Sequence, residues 1–370
     1  GIVKGFVVRG AAADTSRKQL DEHTTFVKAY GLGGLLWGKV AGAEVTGPLG
    51  KAIPDLARFL AATGAVEGDL VLPSGIALAL GPGTTLRFQL GAVLLADAPL
   101  LFAGTTAQPI VLEPRTDAPS WCGVIVLGAD GRCEWNDVTV RKTDAVARGG
   151  WIVTGAVTFY RTPVTLLRCH FDGTQAEDGL NIFGADILLD TVTFSACRSD
   201  SFDGDFVTGE VRNCLFQDGL ADGMDVSGSH VLARNNRFQH MGDKAYSIGE
   251  RSQARIEGGS ALDVSNGVAA KDASLVEVVG FTIESARHYG LAAFVKKPEY
   301  GPAQLVATGV TIRSAGLALA IAQTGCSIEI DGVALATQDI DILVRPTPEN
   351  AHRVFAALRT FKAPLFDLTE

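Results

Sequence analysis

Hydrophobic and polar positions follow two different rules along this chain. From Gly1 to about Gly75, short apolar runs alternate with longer amphipathic stretches. Gly5-Phe6-Val7-Val8, Gly34-Leu35-Leu36-Trp37 and Asp69-Leu70-Val71-Leu72 read as strands. Thr15 or Ser16 is placed to cap a helix that carries Leu20, Phe26 and Val27 up to Tyr30 and ends at Gly31. A second helix is expected from about Pro54 to Ala62. From about Gly81 the rule changes to short apolar runs punctuated by glycine or aspartate. Thr191-Val192-Thr193-Phe194, Arg212-Asn213-Cys214-Leu215-Phe216 and Arg234-Asn235-Asn236-Arg237-Phe238 align with one another. Their phenylalanines recur at a constant interval of 22, and Phe171 precedes Phe194 by 23. Val276-Glu277-Val278, Leu305-Val306-Ala307 and Ile328-Glu329-Ile330 continue the alternation of apolar and polar positions, which puts one face of each strand inward.

A period of 22 to 23 with three short strands per repeat is one turn of a parallel β-solenoid. The pattern therefore predicts a mainly β protein: a small α+β module over residues 1–75, a right-handed parallel β-helix over 76–345, and a tail over 346–370. In the tail, Ala351, Val354, Phe355 and Leu358 fall on one helical face, which suits a helix covering the end of the solenoid core. The longer interval from Val276 to Leu305 places an insertion near Lys296-Lys297-Pro298-Glu299-Tyr300-Gly301.

Composition agrees with this picture. Hydrophobic residues make up 47% of the 370, enough for an extended core, and the 43 glycines suit a fold with many turns. The net charge of −9 argues against a protein that coats nucleic acid. The six cysteines show no C-x-x-C pair and read as small core residues rather than a zinc site or disulfide framework. No apolar run is long enough to span a membrane. The chain begins at Gly1 rather than Met, so a removed leader, and with it an extracellular or cell-surface location, is one expectation.

The repeat also turns sequence into columns. Asp178, Asp200, Asp222 and Lys244 form one; Asn181, Asp203, Asp225 and Ser247 the next; and Asp205 falls near Glu250 and Asp272. Successive rungs lie about 4.8 Å apart, so stacked carboxylates repel unless cations, hydrogen bonds or protonation compensate. Asp-Gly turns account for some of these residues, such as Asp178-Gly179, but poorly for Asp205 and Asp225. The alternative is a groove for a sugar polymer or a metal. In that reading Asp203, Asp205 and Asp225 supply hydrolytic carboxyl groups, Lys244 or Lys271 a base for β-elimination with Arg251 stabilising the enolate, and Asp200, Asp222, Asp243, Glu250, Asp272, Lys296 and Lys297 the binding contacts. If the row holds a cation, calcium on Asp203, Asp205 and Asp225 is the expected one. His170, His240 and His288 are isolated and read as structural.

Two resemblances sharpen these expectations. Gly5-Phe6-Val7-Val8, Ser16 to Glu22, Phe26 to Gly31, Gly34 to Val40, Gly47-Pro48-Leu49-Gly50-Lys51 and Thr63 to Leu70 together resemble the GAD domain. That module is inserted in bacterial aspartyl-tRNA synthetases and occurs in the B subunit of the tRNA-dependent amidotransferase. The synthetase catalytic motifs are absent, so the likeness implies an accessory module without aminoacylation and, if the module is functional, a cytoplasmic setting. Lys18, Lys28 and Lys39 are its candidates to face a tRNA phosphate, against a solvated helix face as the commoner role for such lysines. The stretch from Gly81 resembles a family of bacterial β-helix proteins found beside spore-coat kinase-like proteins. The carrying motifs are Thr158 to Leu166, Asp200 to Phe206, Asp225 to Ser229, Asp243 to Glu250, Ala270 to Ser274 and Lys296 to Ala303. Its fold is shared with pectate lyases and polygalacturonases, although the Gly-His-Gly and Arg-Ile-Lys motifs of the latter are missing. Three functions follow as expectations: a polysaccharide hydrolase or lyase, a non-catalytic carbohydrate- or surface-binding scaffold, and a tRNA-associated accessory protein.

Overall fold

The computed structural model describes residues 5–8, 12, 15–29, 37–41, 44–52, 70–73, 77–148 and 151–336. The expected helix at 54–62, most of the strand at 34–37 and the amphipathic tail lie outside them, as do the side chains of Lys28, Phe26 and Leu70. From Leu78 to Ala336 the chain is a parallel β-solenoid of about 11 turns, its walls an 18-stranded and an 11-stranded sheet. Every strand pair between turns is parallel, because each strand returns to the same place one coil later.

The period of the sequence predicted an internal phenylalanine ladder, and it is present. Phe171, Phe194, Phe216 and Phe238 stack with centroids 5.1, 5.0 and 4.6 Å apart and planes within 11°. Side chains that alternate inward at each rung fill the coil, and parallel offset rings at this spacing add attraction beyond their burial. Many of the turns are compressed into one or two left-handed residues. Arg161, Gly184, Phe206, Gly228 and Glu250, one per turn, have φ between 48° and 63° and form one such corner. The insertion after Phe294 was also anticipated: Val276 pairs with Leu305 while residues 295–303 loop out.

The Asp-Gly pairs of the acidic row, Asp178-Gly179, Asp203-Gly204 and Asp222-Gly223, do not serve as left-handed turns. Gly179 and Gly204 lie inside strands Asp178–Phe183 and Asp200–Asp205, and neither has positive φ. They are glycine for lack of room. A Cβ on Gly179 would meet the Ser201 carbonyl oxygen at 2.8 Å, and one on Gly223 would meet the Phe238 ring at 2.4 Å.

Before the solenoid, strands Gly5–Val8, Gly38–Ala41, Glu44–Thr46 and Leu70–Pro73 form an antiparallel sheet, with an α-helix over Arg17–Ala29. Ser16 caps that helix reciprocally: its Oγ accepts from the Gln19 amide (3.2 Å), and Gln19 Oε1 accepts from the Ser16 amide (2.8 Å). Val40, Val45 and Leu49 are buried within the module. Leu20 and Trp37, by contrast, join the same continuous core as Leu78, Leu80 and Leu94 of the solenoid, so the first turn does not leave its interior open. Trp37, expected in a small core of the module with Phe26, Leu36 and Leu70, thus joins the solenoid interior, while Leu36 and the side chains of Phe26 and Leu70 lie outside the described residues. Cys133, Cys169, Cys197 and Cys214 are free and buried, and burial pushes each thiol up to about 12.

Candidate functional site

One lateral face of the 18-stranded sheet carries the acidic residues. On strands Asp178–Phe183, Asp200–Asp205 and Met224–Ser227, alternation sends Leu180, Ile182, Phe202, Met224 and Val226 inward and the intervening residues outward. Asn181, Asp203, Asp225 and Ser247 are register partners on successive rungs, as their regular spacing in sequence requires. Asp178 pairs with Asp200, and the Asp200 and Asp222 carboxylates accept from the amides of Asp222 (2.8 Å) and Lys244 (2.9 Å), so the second column is also present. The third column is displaced: Asp205 stands over Ser227 and under Phe183, with Glu250 one residue out of line on its left-handed corner.

These columns open into a groove of about 520 Å³ with six carboxylates on its lining: Glu177, Asp178, Asp200, Asp203, Asp205 and Asp225. No lysine, arginine or histidine lines it among the described residues. Burial, followed by the neighbouring Asp178, Asp205 and Asp225 charges, pushes Asp203 up to about 8, against a 2.8 Å hydrogen bond from Asn181 that favours the anion. Burial and the Asp222 charge carry Asp200 to about 7, and burial carries Asp178 to about 6. Burial raises Asp205 and Asp225 as well, Asp225 against the pull of Lys271.

The cations expected here lie elsewhere. Lys244 Nζ sits between Asp222 (3.3 Å) and Asp243 (2.5 Å), whose other oxygen accepts from Asn266. Lys271 is buried, donating to Ser247 Oγ at 2.7 Å and lying 3.5 Å from Asp225 Oδ1. Arg251 rests on the Tyr300 ring at 5.6 Å and does not line the groove. Lys297 pairs with Glu250, which also accepts from Ser227, while the Lys296 side chain is exposed. Despite its burial, Glu250 is held below its usual range by Lys297, Ser227 and Lys271. Asp272 is fully buried and accepts from the amides of Lys296 and Lys297, both at 2.6 Å, so it fixes the inserted loop instead of facing a ligand. A lyase mechanism with Lys244 or Lys271 as base and Arg251 as enolate partner therefore has neither group in the groove.

Nor do Asp203, Asp205 and Asp225 form the expected metal set. The carboxylate oxygens that converge within 4.8 Å, among the described residues, belong to Asp200, Asp222 and Asp225. Two of these already face an ammonium group.

Sequence reading missed the other side of the groove. Tyr160 and Phe183 stack at 5.1 Å and 14°, and Phe206 meets Phe183 edge-on at 5.4 Å. Unlike the inner ladder this one faces outward: Tyr160 is 42% and Phe206 60% exposed. The signal was available, since these rings recur at the same interval that separates Phe171 from Phe194. A short hairpin, Val146–Arg148 with Trp151–Val153, adds Ile152, Val153 and Thr154 as a wall.

Fold and site together define a parallel β-solenoid with an acidic, aromatic-edged lateral groove, preceded by an α+β module. Residues 1–74 match the GAD domain family. The aspartate–tRNA ligase of Leuconostoc citreum is 40% identical over 72 residues, 20% of this chain and 12% of the ligase; that of Staphylococcus aureus is 37% identical over 126 residues, 32% and 21%. The chain thus spans about a fifth or less of these relatives' length. Among solved structures, the solenoid is similar to the catalytic domain of a GH87 α-1,3-glucanase (9% identity, TM-score 0.41, 74% of this chain and 70% of that one). It is also similar to the A-module of a mannuronan C-5 epimerase from Azotobacter vinelandii (15%, 0.38, 74% and 90%) and to PfbA, a surface adhesin of Streptococcus pneumoniae (11%, 0.42, 71% and 84%).

In the amino-terminal module, Lys18 pairs with Glu22 at 3.7 Å, and Lys39 Nζ donates to the carbonyls of Ala12 (2.6 Å) and Thr15. Two of the three lysines expected to meet RNA phosphates are therefore engaged within the module. No helix among the described residues is long and apolar enough to cross a membrane.

Proposed function

We propose that the groove binds a polysaccharide and hydrolyses its glycosidic bonds with inversion. The observation that carries this reading is the placement of several cation-free carboxyl groups beside an outward aromatic ladder. Inverting hydrolysis needs two carboxyls roughly 6.5–9.5 Å apart, so that a water fits between base and sugar. Asp203 and Asp225 are direct register partners, about 4.8 Å apart at the backbone, which is too close. Asp205 stands opposite Ser227 and hence diagonal to Asp225, about 7–8 Å away. Asp205, raised by burial and by the Asp225 and Glu250 charges, is the proton donor to the leaving oxygen. Asp225 has Lys271 beside it to favour the anion, and it takes the proton from the attacking water. Asp203, protonated between them, donates to a sugar hydroxyl.

The test is release of reducing ends from a panel of polysaccharides by the full chain, with and without calcium. Wild type is expected to release them without added calcium, and Asp205→Asn or Asp225→Asn to lose about 10²–10⁴-fold, the usual contribution of a positioned acid or base. Binding without release from any polymer would replace the hydrolase with a binding scaffold. Activity or stability that depended on calcium would restore the metal reading. Retention of tRNA in place of any glycan would favour the amino-terminal module as the functional part.

A further inference from the structure

Asp178 is the most enclosed of the groove's carboxylates, at 3% exposure; Thr154 beside it favours the anion, but Oδ2 of Asp178 has no hydrogen-bond partner. A buried acceptor left unpaired costs free energy, so its retention calls for an explanation. The turn explanation fails here, because Gly179 after it lies in the strand without positive φ. No cation faces it either, since none lines the groove among the described residues. The carboxyl torsion of aspartate is soft and roughly two-fold, so a small rotation brings Oδ2 to a group entering the groove.

The charge pattern narrows what that group is. A polyuronate would bring further carboxylates against six already present, and the nearby lysines Lys244, Lys271 and Lys297 are each paired with Asp222 and Asp243, Asp225, or Glu250. A neutral sugar brings hydroxyl donors for Asp178 and acceptors for a protonated Asp203. Its ring faces present C–H bonds to the ring of Tyr160, which lines the groove and is exposed.

We propose that the groove takes a neutral, hydroxyl-rich glycan, with a sugar-ring face on Tyr160 and a sugar hydroxyl donating to Oδ2 of Asp178. This rests on reading the groove as a glycan site, and the experiment separates the two. Calorimetric titration of the full chain uses three probes: a neutral glucan oligosaccharide series, oligogalacturonate and a chitosan oligomer. The neutral series is expected to bind. Asp178→Asn and the surface change Tyr160→Ala are each expected to weaken it about tenfold, the equivalent of one lost contact of ~1.4 kcal/mol. Asp178→Asn is also expected to melt higher than wild type at pH 8, because it removes a buried negative charge with one oxygen unpartnered; a merely structural Asp178 would give a lower melting temperature. Oligogalacturonate or chitosan binding in place of the neutral series, lost in Asp225→Asn, would overturn the neutral substrate while leaving the glycan site intact. Binding of none of the three would overturn both. Wild-type affinity in folded Asp178→Asn and Tyr160→Ala would remove these residues from the contact.

Discussion

The two walls of the solenoid are built from the same repeat and treat charge in opposite ways. On the 11-stranded sheet, Asp190, Arg212, Glu210, Arg234, Glu257, Arg255 and Glu277 form an alternating ladder, in which each carboxylate has a guanidinium partner. On the groove side of the 18-stranded sheet, six carboxylates share one face with no cation lining it among the described residues. A stacked repeat brings like residues within one rung spacing, so any charged column needs compensation. The first wall provides it with arginines. The second leaves it to burial and protonation, at a cost in stability, which is the pattern expected of a site kept for a ligand.

That contrast gives graded expectations. The largest effect is on catalysis: Asp205→Asn should reduce reducing-end release by about 10²–10⁴-fold while the far-UV circular dichroism stays unchanged. Next is Lys271→Met, which strands Asp225 beside a lost buried ammonium; denaturant unfolding should show a loss of ~3–5 kcal/mol, partly recovered by adding Asp225→Asn.

A smaller effect is the pH profile. An acid whose folded-state pKa is raised holds its proton more tightly when folded. Its contribution is complete below the unfolded value near 3.8 and is lost as pH rises through the folded value. Asp178, Asp200 and Asp203 therefore predict a melting temperature that falls from pH 5 to pH 9, and Asp203→Asn should flatten the slope. Carboxylates held low by arginines, such as Asp137 beside Arg168, act in the other direction only at more acid pH. The smallest effect belongs to the other wall: Arg234→Gln, on an exposed ladder, should barely change the melting temperature, with any change disappearing at high salt.

Much of this was legible in the sequence. The phenylalanine period gave the coil, and the same register placed Asn181, Asp203, Asp225 and Ser247 in one column. What the register could not give was direction at the corners. Glu250 sits on a left-handed residue, so it leaves the column that contains Asp205, and Asp272 turns inward to hold the loop amides. Lysine has a long flexible stem, so closeness in sequence to the acidic row did not say where Nζ of Lys244 and Lys271 would point. The outward rings Tyr160, Phe183 and Phe206 recur at the interval that separates Phe171 from Phe194, although Phe206 stands on the corner one place beyond the Phe183 register, and only the backbone decides which side of the wall they face. The hairpin bearing Ile152 is an insertion without a repeat to announce it.

The central claim is that the groove face, unlike its opposite wall, holds carboxyl groups that remain protonated near neutral pH because they are buried beside one another, with Asp200 and Asp203 lacking a cation partner. Carbon-13 carboxyl chemical shifts of the full chain, followed from pH 3 to pH 10, test it directly. The account predicts an aspartate titrating at about 8 that disappears in Asp203→Asn, a second at about 7 from Asp200, and Asp190, on the arginine wall, below its usual range. If every groove aspartate titrated in the ordinary range near 4, the two walls would be electrostatically alike and the claim would be wrong.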